Sequence, residues 1–240
     1  MVNFFKKKQV IILFAPPGAG KGIQADLLSD KLDLYYFDTS NILEEKFKEA
    51  ENFSSNSKKR FISIENKKYD ILIEKKLWLD GKLCSPPFVA FLVKEKIKKI
   101  FQDGKNIIFA GSPRTMIEAK EIIPLLKKLY GKNNIKVFFI KISPEETIFR
   151  NSHRRICELM RHSILYNKET ENLTICPLDG SKLVRRHGLD DPETIKVRLE
   201  EYKEKTFPLL KYFIKEGLSV KKINGEQSVS DVFNDIVKYL

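Results

Sequence analysis

Apolar residues collect along the chain in five short runs, residues 10–14, 34–37, 106–110, 135–142 and 218–223, each bounded by turn-forming positions. Runs of that length predict strands. The stretches between them show helical spacing instead. In residues 88–101, for instance, Val89, Leu92, Val93, Ile97 and Ile100 recur at helical intervals, while Lys94, Lys96, Lys98 and Lys99 fall largely on the remaining surface. Strand alternating with helix predicts an α/β fold, a five-stranded parallel sheet with helices on both faces. Two stretches interrupt that rhythm. Residues 39–85 contain the polar segment 52–60, and residues 154–186 hold Cys157, Cys176 and the turn Pro177-Leu178-Asp179-Gly180.

The junction after the first run carries the strongest chemical signal. Ala15-Pro16-Pro17-Gly18-Ala19-Gly20-Lys21-Gly22 joins the first predicted strand to a helix-like segment, residues 24–32. Small residues let successive backbone N–H groups turn toward one anion, the following helix offers its positive end, and Lys21 reaches the distal phosphates. The expected ligand is a nucleoside triphosphate. The stretch departs from the general phosphate-loop pattern at both ends, with Ala15 where Gly begins it and Gly22 where Ser or Thr follows the Lys. In an open parallel sheet the ligand lies beyond the carboxyl ends of the strands. The residues just after the other runs are therefore expected to act: Asp38-Thr39-Ser40, Gly111-Ser112-Pro113-Arg114, and a helix after the fourth run that ends in Arg150, Arg154 and Arg155.

At 240 residues, 42% hydrophobic and 11% aromatic, the chain can bury a substantial core and fits one large domain with insertions, which excludes a disordered tail. The formal charge of +12 suits nucleic acid, an anionic membrane or a small polyanion such as a nucleotide. Lysine-rich helical faces account for most of it as solvated surface. No apolar stretch approaches the roughly 18 residues needed to span a bilayer. Residues 1–8 lead directly into the first strand, not into a signal-peptide core, so a cytoplasmic protein without a membrane partner is expected. Three cysteines argue against a disulfide framework and leave metal binding open.

Several ordered motifs carry a family resemblance over nearly the whole length. They are Pro17-Gly18-Ala19-Gly20-Lys21-Gly22 with Gln24; Thr39; Gly111-x-Pro113-Arg114-Thr115; Arg150-x-x-x-Arg154-Arg155; Arg185-Arg186, Asp190-Asp191 and Glu193-Thr194-x-x-x-Arg198-Leu199; then Tyr202-x-x-x-Thr206-x-Pro208-Leu209 and Ile223-Asn224-Gly225. In these the chain resembles the adenylate kinases, within the nucleoside monophosphate kinase family. The resemblance implies reversible transfer of a phosphoryl group from ATP, with Mg, to a nucleoside monophosphate, AMP first among them. It also implies a P-loop core (1–38, 86–153 and 187–240), an acceptor-binding insertion (39–85) and a lid (154–186), with no nucleic-acid partner and a monomeric state. Carried over residue by residue, it assigns the reacting phosphoryl group to Lys21, Arg114, Arg154, Arg186 and Arg198. ATP falls to Gly18, Ala19, Gly20, Lys21, Gly22, Ile23, Arg150 and Arg154. The acceptor falls to Thr39, Lys82, Leu83, Cys84, Gly111, Arg114, Glu118, Arg186 and Arg198, with residues 82–84 contributing largely through backbone. Cys84 is expected near the acceptor base, and Arg155 is read as a catalytic cation or a surface ion-pair partner. Arg186 is preferred to Arg185 as the lid arginine, and His187 is expected at the surface.

Departures from the family pattern concentrate on the acceptor side. Glu44 stands where the resemblance implies an arginine for the monophosphate, and a carboxylate there repels an anion. Lys46, Lys48, Lys58, Lys59 and Arg60 are the cations expected to compensate. Glu118 stands where a Gln reads adenine; an ionised carboxylate only accepts hydrogen bonds, which suits guanine better, unless Glu118 is a solvent-facing helical residue. Ala110 replaces an Asp that helps hold the waters around Mg, and Ile23 replaces a Thr that touches ATP phosphates. Ala110, Ile23 and Glu44 leave a non-catalytic nucleotide sensor as a rival reading, Glu118 leaves a kinase for GMP, and the charge of +12 alone leaves an RNA-associated factor. In the lid, relatives with zinc use two Cys-x-x-Cys pairs, sometimes ending in Asp. Here the positions read Cys157-x-x-Met160 and Cys176-x-x-Asp179, and a thioether is a poor zinc ligand, so a closed site needs a substitute such as His162. Two readings stay open: structural Zn on Cys157, Cys176, Asp179 and His162, or a metal-free hydrogen-bonded cluster.

Overall fold

The computed structural model describes residues 8–52, 57–186 and 190–240. The centre of the polar segment, Phe53 to Asn56, the first seven residues, and His187, Gly188 and Leu189 lie outside the described residues, and with them the surface position expected for His187. The first part of the chain forms β1 (Val10–Phe14), α1 (Lys21–Leu32), β2 (Tyr35–Phe37), α2 (Thr39–Glu51), β3 (Phe61–Ile64), β4 (Lys67–Asp70) and α3 (Ile71–Leu79). Then come α4 (Pro86–Gln102), β5 (Ile107–Phe109), α5 (Met116–Tyr130), β6 (Ile135–Lys141), α6 (Pro144–Ser152), β7 (Arg155–Cys157), β8 (Ser163–Ile164) and β9 (Leu183–Val184). The chain closes with α7 (Pro192–Glu201), α8 (Leu209–Lys215), β10 (Ser219–Asn224) and α9 (Val229–Val237).

Five strands make one sheet in the order β10-β6-β1-β5-β2, every neighbouring pair parallel. Its central strand shows why the apolar runs are continuous. Val10, Ile12 and Phe14 point into the core formed with α4, α5 and α8, while Ile11 and Leu13 point into the core beneath α1 and α9. A strand whose alternate side chains enter two separate cores has no polar face to show. Register places Phe37 beside Phe109, with ring centroids 4.7 Å apart, at the β5–β2 edge of the sheet.

Both interruptions carry small sheets of their own. Residues 39–85 contain the antiparallel β3–β4 hairpin between α2 and α3, and residues 154–186 contain the three-stranded sheet β8-β7-β9. One predicted element changes. The helix after β6 ends at Ser152, because the backbone N–H groups of His153 and Arg154 close its last turn on Phe149 and Asn151, and Arg155 instead opens β7. Leu34 lies outside β2 and closes the end of α1, its backbone N–H donating to the Ser29 carbonyl after Asp33 adopts a left-handed φ of 51°.

Candidate active site

The loop after β1 turns sharply at Gly18 and Gly20, whose φ values of 81° and 83° favour glycine. Gly18 also lies against α6: a Cβ there would sit 2.5 Å from Asn151 Nδ2. Gly20 is the N-cap of α1 and offers no capping side chain, so the first amides of the helix face the loop without a side-chain acceptor. This is the arrangement that binds anions. Lys21 Nζ spans the loop, donating to the carbonyls of Ala15 at 2.9 Å and Pro16 at 2.8 Å.

The loop forms one end of a cleft of about 770 Å³. Gly18, Ala19, Gly20, Lys21, Gly22 and Ile23 line it together with Lys82, Leu83, Gly111, Arg114, Arg150, Arg154, Arg186 and Arg198. Elements far apart in sequence thus bring their cations to one place. Burial, then the charges of Arg114, Arg198 and Arg154, hold the Lys21 ammonium well below its ordinary pKa. Burial and neighbouring guanidinium groups push Arg198 down to about 9 and Arg154 down to about 10. A buried cluster of like charges is poised for a polyanion. Its internal counter-charge is Asp190, which accepts from Arg186 Nη2 at 2.6 Å and Nε at 2.9 Å and lies 3.8 Å from both Arg154 Nη1 and Arg198 Nη1. Arg150 is held 2.5 Å from Glu146 by its Nε.

Several predicted site residues are placed otherwise. Glu118 neither faces solvent nor lines the cleft: it is 2% exposed, and its carboxylate accepts from the Arg114 backbone N–H at 2.9 Å, Thr115 Oγ1 at 3.0 Å and Ser112 Oγ at 3.4 Å. Thr115 caps α5 by accepting from the Glu118 amide, so the pair closes the helix start on itself and removes the carboxylate from any base. A guanine-reading role for Glu118 loses its basis. Cys84 is buried in the core, its thiol 3.5 Å from the Glu74 carbonyl, and burial pushes that thiol up to about 12. Thr39 is buried beside Gly111, and its hydroxyl has no hydrogen-bond partner among the described residues. Arg155 donates to the carbonyls of Leu173 and Thr170 as an internal brace for the β7–β9 segment, and among the described residues it neither lines the cleft nor forms an ion pair. Arg186 lines the cleft and Arg185 does not. None of Lys46, Lys48, Lys58, Lys59 and Arg60 lines it either; Lys46 pairs with Glu49 and Arg60 with Asp70.

The β7–β9 segment gathers Cys157, His162, Cys176 and Asp179, with one potential ligand atom of each within 4.8 Å of all the others. Cys157 Sγ lies 3.0 Å from Asp179 Oδ2 and 3.5 Å from His162 Nδ1, which is 3.6 Å from Cys176 Sγ and 3.2 Å from Asp179 Oδ2. Zinc bonds of about 2.0–2.3 Å in a tetrahedron imply ligand-to-ligand edges of roughly 3.3–3.8 Å, close to these separations. Ser181 donates to Asp179 Oδ1 through backbone N–H at 2.9 Å and hydroxyl at 2.7 Å, which fixes the carboxylate from outside the cluster. Met160 is 64% exposed and takes no part.

Comparison with known proteins bears on the cleft directly. The adenylate kinase family model matches residues 13–218, from within the first strand through the phosphate loop, both interruptions, α7 and α8. The chain belongs to the adenylate kinase family. It is 30% identical to an adenylate kinase of Caldicellulosiruptor bescii over 96% of this chain and 98% of that one. It is 31% identical to one of Oceanobacillus iheyensis with the same coverage, and 29% identical to one of Methanothrix thermoacetophila over 96% and 97%. As a member of this family it is a phosphotransferase.

Three features of this adenylate kinase family member escaped the sequence reading. Asp190 was visible only as part of a motif, without its role as shared counter-charge. The π-helical turn Tyr202–Thr206 brings Tyr202 and Thr206 to the cleft, and no periodicity announces such a turn. Glu118 did carry a signal, since Thr115-x-x-Glu118 is a capping box. Among the described residues no helix is long and apolar enough to cross a membrane.

Proposed function

We propose that the chain transfers the γ-phosphoryl group of Mg-ATP to AMP, giving two ADP, and runs the reaction in both directions. The observation that carries this reading is the convergence of the phosphate-loop amides, Lys21, Arg114, Arg154, Arg186 and Arg198 on one cleft. In the transfer an acceptor phosphate oxygen forms a bond to the γ-phosphorus as the bond to the bridging oxygen breaks. Little covalent chemistry is asked of the protein; positioning and cationic stabilisation supply the acceleration. Loop amides and Lys21 hold the donor phosphates, with Arg150 beside them, while Arg114, Arg186 and Arg198 hold the acceptor phosphate. Gly111, Lys82 and Leu83, which line the cleft, flank the acceptor base, with Thr39 buried behind Gly111 and its hydroxyl unpartnered among the described residues. Mg would enter on the phosphates of ATP and neutralise their charge; Ala110 offers it no carboxylate, whereas Asp38 lines the cleft. Closure of residues 154–186 over the cleft excludes water.

The withdrawal of Glu118 from the cleft favours AMP over GMP. A coupled assay with ATP, Mg and each nucleoside monophosphate tests the reading. AMP turnover that disappears in Lys21→Ala supports it, and tight ATP binding without transfer refutes it in favour of a nucleotide sensor. The same reading assigns a structural zinc ion to Cys157, His162, Cys176 and Asp179, where it would cross-link the β7–β9 segment. Elemental analysis should find one zinc per chain, with a lower melting temperature after chelation; protein purified without zinc in medium that supplies it would favour the metal-free cluster.

A further inference from the structure

Glu44 has a partner no local pattern announces. It sits on α2, whose Leu43, Phe47 and Ala50 are buried, and this fixes the helix so that Glu44 lines the cleft. Across the cleft, Arg161 donates from Nη1 to Glu44 Oε2 at 3.1 Å, joining segments 117 residues apart. Arg161 also lines the cleft. It occupies a left-handed backbone position, φ 59°, closing the turn on Cys157 with its N–H donating to the Cys157 carbonyl at 3.1 Å. The metal-ligand turn therefore sends a long cationic side chain out of the lid and onto the acceptor insertion.

We propose that Arg161 is a specificity-positioning residue: by neutralising Glu44 it permits a monophosphate to bind beside a carboxylate, and it makes that permission depend on the lid being closed. This rests on the reading above that AMP occupies the cleft next to α2. With the lid away, Glu44 faces the acceptor phosphate unscreened and repels it; with the lid down, the ion pair removes the repulsion and ties the two mobile parts together. Arg161 is half exposed, which limits the effect to that of a partly solvated pair, about two- to fivefold in affinity.

The test is a double-mutant cycle on the intact protein, using Arg161→Ala, Glu44→Gln and the double variant, with steady-state kinetics and calorimetric AMP binding at low and high salt. Arg161→Ala should raise the AMP KM and Kd about two- to fivefold while the ATP KM stays within the error of the wild type. The double variant should recover the loss, and salt should shrink it. A general loosening of the lid would instead raise both KM values and would not respond to Glu44→Gln, which overturns the proposal. So does wild-type behaviour of Arg161→Ala in an enzyme that phosphorylates AMP, and that result leaves the assigned reaction standing. A wild type that neither binds nor phosphorylates AMP overturns the assigned reaction and this role together.

Discussion

Replacing Asp190 by Asn removes one negative charge while keeping shape and one acceptor oxygen, and it isolates the device that holds the cationic cluster together. The Asp190 side chain is 1% exposed, and Arg186, Arg154 and Arg198 are about one-fifth exposed. Two of the guanidinium groups stand at 3.8 Å, and the third forms a bidentate pair. A unit charge pair at that separation interacts with roughly 4 kcal/mol at an effective dielectric constant near 20. Desolvation offsets much of this in the wild type, but removing one partner leaves the rest uncompensated, which typically costs about 3–5 kcal/mol. Residual exposure of the arginines places the expected loss near the lower end, about 3 kcal/mol. For a chain of this size that is a drop of about 6–12 °C in melting temperature. Saturating ADP supplies phosphates to the same guanidinium groups and should recover part of the loss, so nucleotide should stabilise the variant more than the wild type. Urea and thermal denaturation with and without ADP measure both quantities. A loss below about 1 kcal/mol, or equal stabilisation by ADP in both proteins, would refute the role given to Asp190.

Other perturbations separate the remaining roles. Glu118→Gln turns an amide toward the Arg114 N–H and two hydroxyl donors, which should cost about 1–3 kcal/mol in denaturation and raise the AMP KM without changing the preference for AMP over GMP; inverted base preference would return Glu118 to the acceptor base. Gly18→Ala meets Asn151 Nδ2 at 2.5 Å at a φ of 81°, so a loss of about 2–4 kcal/mol and at least about tenfold weaker ATP binding are expected. Asn151→Ala in the same chain should relieve the clash and leave the backbone cost. The depressed pKa of Lys21 gives a pH dependence of definite sign: a bound triphosphate raises that pKa, so binding takes up a proton between the free-enzyme value and the ordinary 10.5. ATP affinity should fall as pH rises through that window, by up to about tenfold per unit, and calorimetry in buffers of different ionisation enthalpy should register the proton; buffer-independent heats would contradict it.

The phosphate loop was legible because everything it needs is local: an apolar strand, two glycines, a lysine and a helix start within residues 10–32. Of the cations named from the motifs, Arg114, Arg154 and Arg198 act electrostatically on Lys21, Arg114, Arg154 and Arg186 act on Arg198, and Arg186 acts on Arg154. The direction of the Glu118 carboxylate is not written in its spacing, which gives a residue's place on a helix but not which way a carboxylate bends once a Thr caps the turn. Local spacing points to Lys46, Lys48, Lys58, Lys59 and Arg60 on the same insertion as compensation for Glu44, whereas its ion-pair partner comes from across the cleft. Arg155 was misplaced because the helix before it stopped one turn early.

Sequence alone determined the alternation of strand and helix, the parallel sheet, the phosphate loop and the family, since burial periodicity, glycine geometry and motif order are written in neighbouring residues. Tertiary structure decided the pairings: Glu44 with Arg161, Asp190 among three arginines, and His162 in place of Met160 beside Cys157, Cys176 and Asp179. The physical reason is range. Hydrogen bonds within a helix or turn join residues a few positions apart, but a buried charge takes whatever opposite charge the fold delivers to it, and that delivery depends on how β7–β9 and α2 approach each other in space.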